Sequence, residues 1–215
     1  MLTQKIPQSF NWEYKDYPQY SVILEEQSYE LLKQLWSRTI DIKKSLIDTR
    51  DIHRHFFKDL TPFGHEYFAG NYRGENYPLL YNYEVGIPGN LSVGCPSKNV
   101  PKYMVQFGNS IDRALNALDV LHESEEPLHK KLIQTVSFSC AAFIKLTNIH
   151  PYANGNGHMG RFLLISSLIN YGYKPKNWTI HPRPLDPPYT TLIRLYENGD
   201  KESLHKYILQ QIPIP

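Results

Sequence analysis

Cysteine is scarce in this sequence. Cys95 and Cys140 are the only two, and they sit in unlike contexts. A single bridge between them stays open, but a disulfide framework or a paired-cysteine metal site is excluded. No stretch of about 18 apolar residues occurs, so no transmembrane helix is expected. The opening Met1-Leu2-Thr3-Gln4-Lys5 lacks the charged-then-apolar pattern of a secretory signal. Neither sign of charge dominates, with 23 Lys plus Arg against 21 Asp plus Glu. That balance argues against a dedicated nucleic-acid or membrane-surface binder. Neither GxxxxGK[ST] nor HExxH is found, which removes the commonest nucleotide and zinc enzymes. The simplest reading is a cytoplasmic protein with no nucleic-acid or membrane partner, a secreted effector remaining open.

What is present is enough for one sizeable core: 215 residues, 41% of them hydrophobic. Aromatic content is 13%, with 16 Tyr, the opposite of a disordered composition. Residues 1–20 carry Phe10, Trp12, Tyr14, Tyr17 and Tyr20 and read as an extended arm packed against the surface. From Ser28 the spacing of Leu32, Trp36, Ile40 and Ile47, with Leu35 and Leu46 beside them, predicts a helix. A second helix fits Asp51–Lys58 and breaks at Thr61-Pro62. Between Tyr77 and Pro101, short apolar pieces flank Pro88-Gly89-Asn90, as in a β-hairpin. Helical spacing returns at Phe107, Ile111, Leu115 and Leu118. Pro127 suits the first turn of a helix reaching about Asn148. Phe162 to Ile169 is apolar nearly all round, which predicts a central buried helix ended by Gly172. Two more helices fit Tyr189–Asn198 and, after an Asp200 N-cap, Lys201–Gln211. The fold class is mainly α.

The loop from His150 to Arg161, His-Pro-Tyr-Ala-Asn-Gly-Asn-Gly-His-Met-Gly-Arg, carries the chemistry. Gly155-Asn156-Gly157 just before a helix lets backbone N–H groups converge on one point. The helix adds its own unpaired N–H groups and positive dipole end, a setting for phosphate. Arg161, in the first turn, can grip the same anion in two-pronged fashion. His150, fixed by Pro151, faces that cradle as a proton acceptor. A base opposite a phosphate cradle points to phosphoryl or nucleotidyl transfer.

This stretch resembles the signature of the Fic family, His-Pro-Phe-x-Asp/Glu-Gly-Asn-Gly-Arg-x-x-Arg. It matches at His150, Pro151, Gly155, Asn156, Gly157 and Arg161, with Tyr152 a mild substitution. Ala69-Gly70-Asn71-Tyr72-Arg73 resembles the segment before the family's flap, and Val85 to Pro101 the flap itself. Tyr196-Glu197-Asn198-Gly199-Asp200 with Leu204 to Ile208 is similar to the closing helices. The resemblance implies an N-terminal arm and helix over 1–50 and a Fic-like domain over 51–211. That domain would be a helical core with a short β-hairpin flap at about 83–98. It also implies transfer of AMP from ATP to a Tyr, Thr or Ser hydroxyl of a target protein. By position, His150 would deprotonate that hydroxyl. Asn156 and the amides of Gly155 and Gly157 would hold the inner phosphates, and Arg161 the far one. Val85, Gly86, Ile87, Leu91 and Val93 of the flap would dock the target by strand addition.

Two positions depart from the pattern. Asn154 stands where an acidic residue helps to hold Mg²⁺ (or Mn²⁺), so it would be a weaker, uncharged ligand. His158 replaces the first arginine and cannot form a guanidinium fork. The alternatives are therefore a weak or inactive binding module, a hydrolase, or a transferase using another donor (UMP, phosphate or phosphocholine). No inhibitory Ser/Thr-x-x-x-Glu-Gly/Asn segment is complete: Ser21 to Glu26 lacks the last residue, and Ile193 spoils Glu197-Asn198. A separate inhibitor partner would then serve, and a homodimer is compatible with the sequence. Plainer readings accompany several residues. His158 reads as an exposed first-turn residue, His53 and His55 as surface, His181-Pro182-Arg183-Pro184 as a rigid connector whose arginine could approach a nucleotide, and Cys140 as core.

Overall fold

Residues 12–87 and 90–213 are described by a computed structural model; Phe10 of the arm and the Pro88-Gly89 turn lie outside them. In chain order the described regular elements are α1 (Tyr20–Ser37), α2 (Ile42–Ile47), α3 (Arg50–Phe57), β1 (Val85–Ile87), β2 (Asn90–Val93), α4 (Val100–Glu123), α5 (Leu128–Ile149), α6 (Asn156–Asn170), α7 (Tyr189–Glu197) and α8 (Lys201–Gln211). The mainly helical class with one hairpin is as the sequence predicts. β1 and β2 pair antiparallel, Val85 opposite Val93 and Ile87 opposite Asn90, with a register irregularity between the two pairs.

The helix expected from Ser28 onward is two helices, and it begins earlier. Arg38 takes a left-handed conformation (φ 55°) that ends α1, and Asp41 caps α2 by accepting the Lys44 N–H at 3.0 Å. The buried face of α1 is Leu24, Ser28, Leu31 and Leu35, a four-three-four spacing. Trp36, expected on that face, is 51% exposed instead. Apolar residues recur at helical spacing on two faces here, and the tertiary partners choose between them.

The centre of the molecule is the pair α5 and α6. Every residue of α6 from His158 to Ile169 is buried, so no polar stripe faces water. Gly172 (φ 85°) lets the chain leave α6, its N–H donating to the Ile169 carbonyl. By length and composition α5 is apolar enough to cross a membrane, yet here it packs on α4, α6 and α8 as a core helix. One hydrophobic cluster joins Trp12 in the arm to Ile212 beyond α8 and includes Cys140.

The spacing between α5 and α6 is set by Gly160. A Cβ there would stand 2.5 Å from Phe143 and 2.9 Å from Thr147, both on α5. Gly160→Ala should therefore overpack this seam and cost about 1–3 kcal/mol. Thermal unfolding followed by circular dichroism should show a melting point several degrees lower. An unchanged melting point would mean that Phe143 yields freely.

Candidate functional site

The loop between α5 and α6 forms because α5 cannot continue past His150. That residue is left-handed (φ 57°), and the next one is proline. Gly155 (φ 78°) then turns the chain into α6, and its lack of a side chain is needed twice. A Cβ would meet the Phe57 ring at 2.3 Å, in a backbone region that side chains avoid. Asn156 closes the loop on itself: its amide donates to the Tyr152 carbonyl and accepts from the Tyr152 N–H, both at 2.8 Å. The Asn156 side chain is thus a clamp on the loop, its oxygen and one of its two amide hydrogens engaged within it. Of the first-turn amides of α6, those of Asn156 and Gly157 have no helical acceptor, while the His158 N–H donates to the Gly155 carbonyl at 3.0 Å.

A cavity of about 640 Å³ opens over this loop, within the roughly 300–1,000 Å³ range of small-molecule sites. His150, Asn154, Gly155, Asn156, Gly157, His158 and Arg161 all line it, as do Val85 and Gly86 of the flap. Val93 is half-buried against the core instead, and the side chains of Ile87 and Leu91 lie outside the described residues.

His150 is oriented for proton transfer. Its Nδ1 lies 3.2 Å from the Thr147 carbonyl, which can only accept, so the proton belongs on Nδ1 and Nε2 keeps its lone pair. Burial holds the ring's pKa down at about 4, with Arg73 adding to the effect, so it is neutral near pH 7. Arg161 is 5% exposed; its Nε donates to the Ile180 carbonyl at 2.7 Å, and one terminal nitrogen lies 3.4 Å from the Tyr189 hydroxyl. Among the described residues no carboxylate pairs with it, so its charge is available to an anion in the cavity.

Asn154 is committed to structure. Its oxygen accepts the Gly155 N–H at 2.7 Å. Its nitrogen donates to the Trp12 carbonyl at 2.9 Å and lies 3.3 Å from a Glu13 carboxylate oxygen. His158 is not an exposed first-turn residue: it is 4% exposed, packed edge-on against Tyr14 and Phe57 and stacked on His181. Its Nε2 lies 3.1 Å from His181 Nδ1. Burial, then Arg161, push the pKa of His158 well below its ordinary value, and the same two causes lower that of His181. The position of the first arginine is therefore uncharged at neutral pH.

Several supporting residues were given no individual role by the sequence. Arg73, fully buried, donates from Nε to the His150 carbonyl at 2.8 Å and from its terminal nitrogens to Tyr83 O, Cys95 O and Glu84. Glu84 in turn accepts from the Ser97 N–H and hydroxyl, so one ion pair ties both ends of the flap to the signature loop. His53, expected at the surface, is fully buried and stacks on Tyr152 with ring centroids 3.7 Å apart. Its Nδ1 accepts the Gly70 N–H at 2.9 Å, so Nε2 carries the proton and donates to Asn154 O at 3.0 Å. The extra hydroxyl of Tyr152 pairs with Thr49 at 2.7 Å. Trp12, Glu13, Tyr14, Lys15 and His181 to Arg183 complete the cavity wall. The described part of the arm, from Trp12 on, thus packs onto the cavity, and Arg183 does reach it.

A family model described as the Fic/DOC family matches residues 44–168, which span the signature loop and the flap. Curated relatives named "Protein adenylyltransferase Fic" from Drosophila sechellia, Drosophila simulans and Drosophila melanogaster are each 30% identical over 80 residues. That stretch is 37% of this chain and 16% of each relative. The arm and the His181–Arg183 wall lie outside the family-matched span.

Two outcomes follow from this geometry. His53 has its pKa lowered to about 3 by burial. The unfolded chain therefore takes up a proton below about pH 6.5 that the folded one refuses, and stability falls as pH drops from 6.5 toward 3. At pH 5 this single group should cost on the order of 2 kcal/mol relative to pH 7. Melting curves at the two pH values should show a smaller loss for His53→Gln than for the parent; equal losses would place the acid sensitivity elsewhere. Arg73→Leu should detach the flap, so amide hydrogen exchange at Val85, Val93 and Cys95 should quicken at least about tenfold while α6 is unaffected. Unchanged flap exchange would show that Arg73 does not hold it.

Proposed function

The chain belongs to the Fic/DOC family, and from that premise we propose that it transfers AMP from ATP to a hydroxyl of a target protein. The observation that carries this reading is the pairing, across one cavity, of a neutral His150 with a free Nε2 and an Arg161 without an acidic partner.

The step follows from those groups. His150 Nε2 takes the proton of the target hydroxyl as its oxygen attacks the α-phosphorus. The bond to the β-phosphate oxygen breaks and pyrophosphate leaves. The Asn156 and Gly157 amides at the start of α6, with Arg161, stabilise the charge that accumulates on the phosphate oxygens. Phosphate bound in the cradle would raise the pKa of His150 from its depressed value, improving it as a base. The edge of the β1–β2 hairpin, with Val85 and Gly86 at the cavity, is the natural place for the target backbone to add as a strand.

At Asn154 itself a divalent cation does not fit. Its oxygen is engaged by the Gly155 N–H, and its nitrogen faces the arm. One observation favours a donor other than ATP: His158 is neutral and turned into an aromatic cluster, so the outer phosphates have one cation fewer than the family pattern supplies.

The test is incorporation of α-labelled ATP into the protein itself and into lysate proteins. Label is expected with the parent, none with His150→Ala, and about a hundredfold less with Arg161→Ala. No label from ATP, set against label from UTP or a phosphocholine donor, would replace the AMP reading with that donor. In the free protein the neutral fraction of His150, read from its imidazole NMR shifts, should stay level from pH 7.5 to about 5. A decline centred near pH 6.5 would mean that His150 titrates normally and is not held as described.

A further inference from the structure

The carboxylate missing at Asn154 has a neighbour. Glu13 lines the same cavity from the short turn Tyr14–Asp16, and one of its oxygens lies 3.3 Å from the Asn154 side-chain nitrogen. Its position is fixed by what surrounds it. Trp12, 2% exposed, donates its backbone N–H to the Tyr83 hydroxyl and its indole N–H to the Leu60 carbonyl, both at 2.8 Å. Asn154 holds the Trp12 carbonyl, and Glu13 accepts the Lys15 N–H at 3.3 Å. A half-buried carboxylate is thereby locked beside a loop whose amides and arginine favour anions. Among the described residues no Lys, Arg or His forms an ion pair with it.

Two negative groups facing each other across a cavity repel unless a cation lies between them. Mg²⁺ and Mn²⁺ need little from the protein: one or two carboxylates, with substrate phosphates and water filling the other positions. We propose that Glu13, from outside the signature loop, supplies the carboxylate for a divalent cation that binds together with the phosphates of the donor. The proposal rests on the nucleotide reading above. It makes the arm part of the donor site and reassigns Asn154 from ligand to the group that positions Glu13.

The two variants that test it are Glu13→Gln and Glu13→Gln with Asn154→Asp. ATP binding is measured by calorimetry in EDTA and in Mn²⁺, and bound Mn²⁺ is read separately by electron paramagnetic resonance. In the parent, Mn²⁺ should tighten ATP binding at least about tenfold. Glu13→Gln should lose that gain yet bind ATP as tightly as the parent, or more so, in EDTA, because a negative charge has gone. The double variant puts a carboxylate oxygen where the Asn154 nitrogen now faces position 13, so it should regain the Mn²⁺ effect, which also shows that the loss was not misfolding. Equal Mn²⁺ gain in the parent and Glu13→Gln, or none in a parent that binds ATP in EDTA, would overturn the role of Glu13 and leave the nucleotide reading standing. No ATP binding by the parent in either condition would overturn both.

Discussion

A single buried guanidinium carries the architecture of the site. Arg73 has no exposed surface, and its donors reach the carbonyls of His150, Tyr83 and Cys95 as well as the Glu84 carboxylate. Burying a charge is costly unless it is paired and its donors are satisfied. Here the partners come from three separate segments, so the charge is neutralised only when loop and flap are both in place. Glu84 passes the constraint on to Ser97, and the backbone N–H of Arg73 donates to the Pro151 carbonyl. The left-handed His150 is held from both sides, by its own proline and by this arginine. Placement of the flap and orientation of the His150 ring are thus two consequences of one interaction.

The sequence made legible whatever is written locally. The apolar wrap of α6, Pro127 before α5, the Asp200 cap of α8 and the loop from His150 to Arg161 depend on neighbours a few positions apart. They stand in the structure where the pattern predicts them. Residues whose meaning depends on distant partners were not legible. Arg73 stands in a segment that resembles the family, but its role shows only when folding brings Cys95 and His150 to it. His53 reads as surface because a polar residue on a short helix normally is. Only the Gly70 N–H and the Asn154 carbonyl, 17 and 101 residues away, make its burial tolerable. Trp36 misled for the converse reason, since a large apolar residue at helical spacing can still face water.

Electrostatically the cavity is quieter than its histidines suggest. His150, His158 and His181 all line it, and burial keeps each below its ordinary pKa, so near neutral pH the fixed positive charge comes from Arg161, Arg183 and Lys15. Arg161 itself deepens this, because its charge opposes protonation of both His158 and His181. An arginine at position 158 would bring a second permanent charge next to the first. A neutral imidazole instead lets Tyr14, Phe56 and Phe57 close around that position.

Each departure from the family pattern is matched by a partner. Tyr152 brings a buried hydroxyl, and Thr49 pairs with it. Asn154 brings an amide, and the Trp12 carbonyl and Gly155 N–H use both its ends. His158 brings an imidazole, and His181 stands within hydrogen-bond distance. A loop that had drifted without constraint would leave such atoms buried and unsatisfied, at about 1–3 kcal/mol each. Two of the three partner sets draw on residues outside the family-matched span, the arm and the turn at His181. The altered motif and its surroundings therefore form one consistent unit, in which the substitutions are coupled to the segments that wall the cavity.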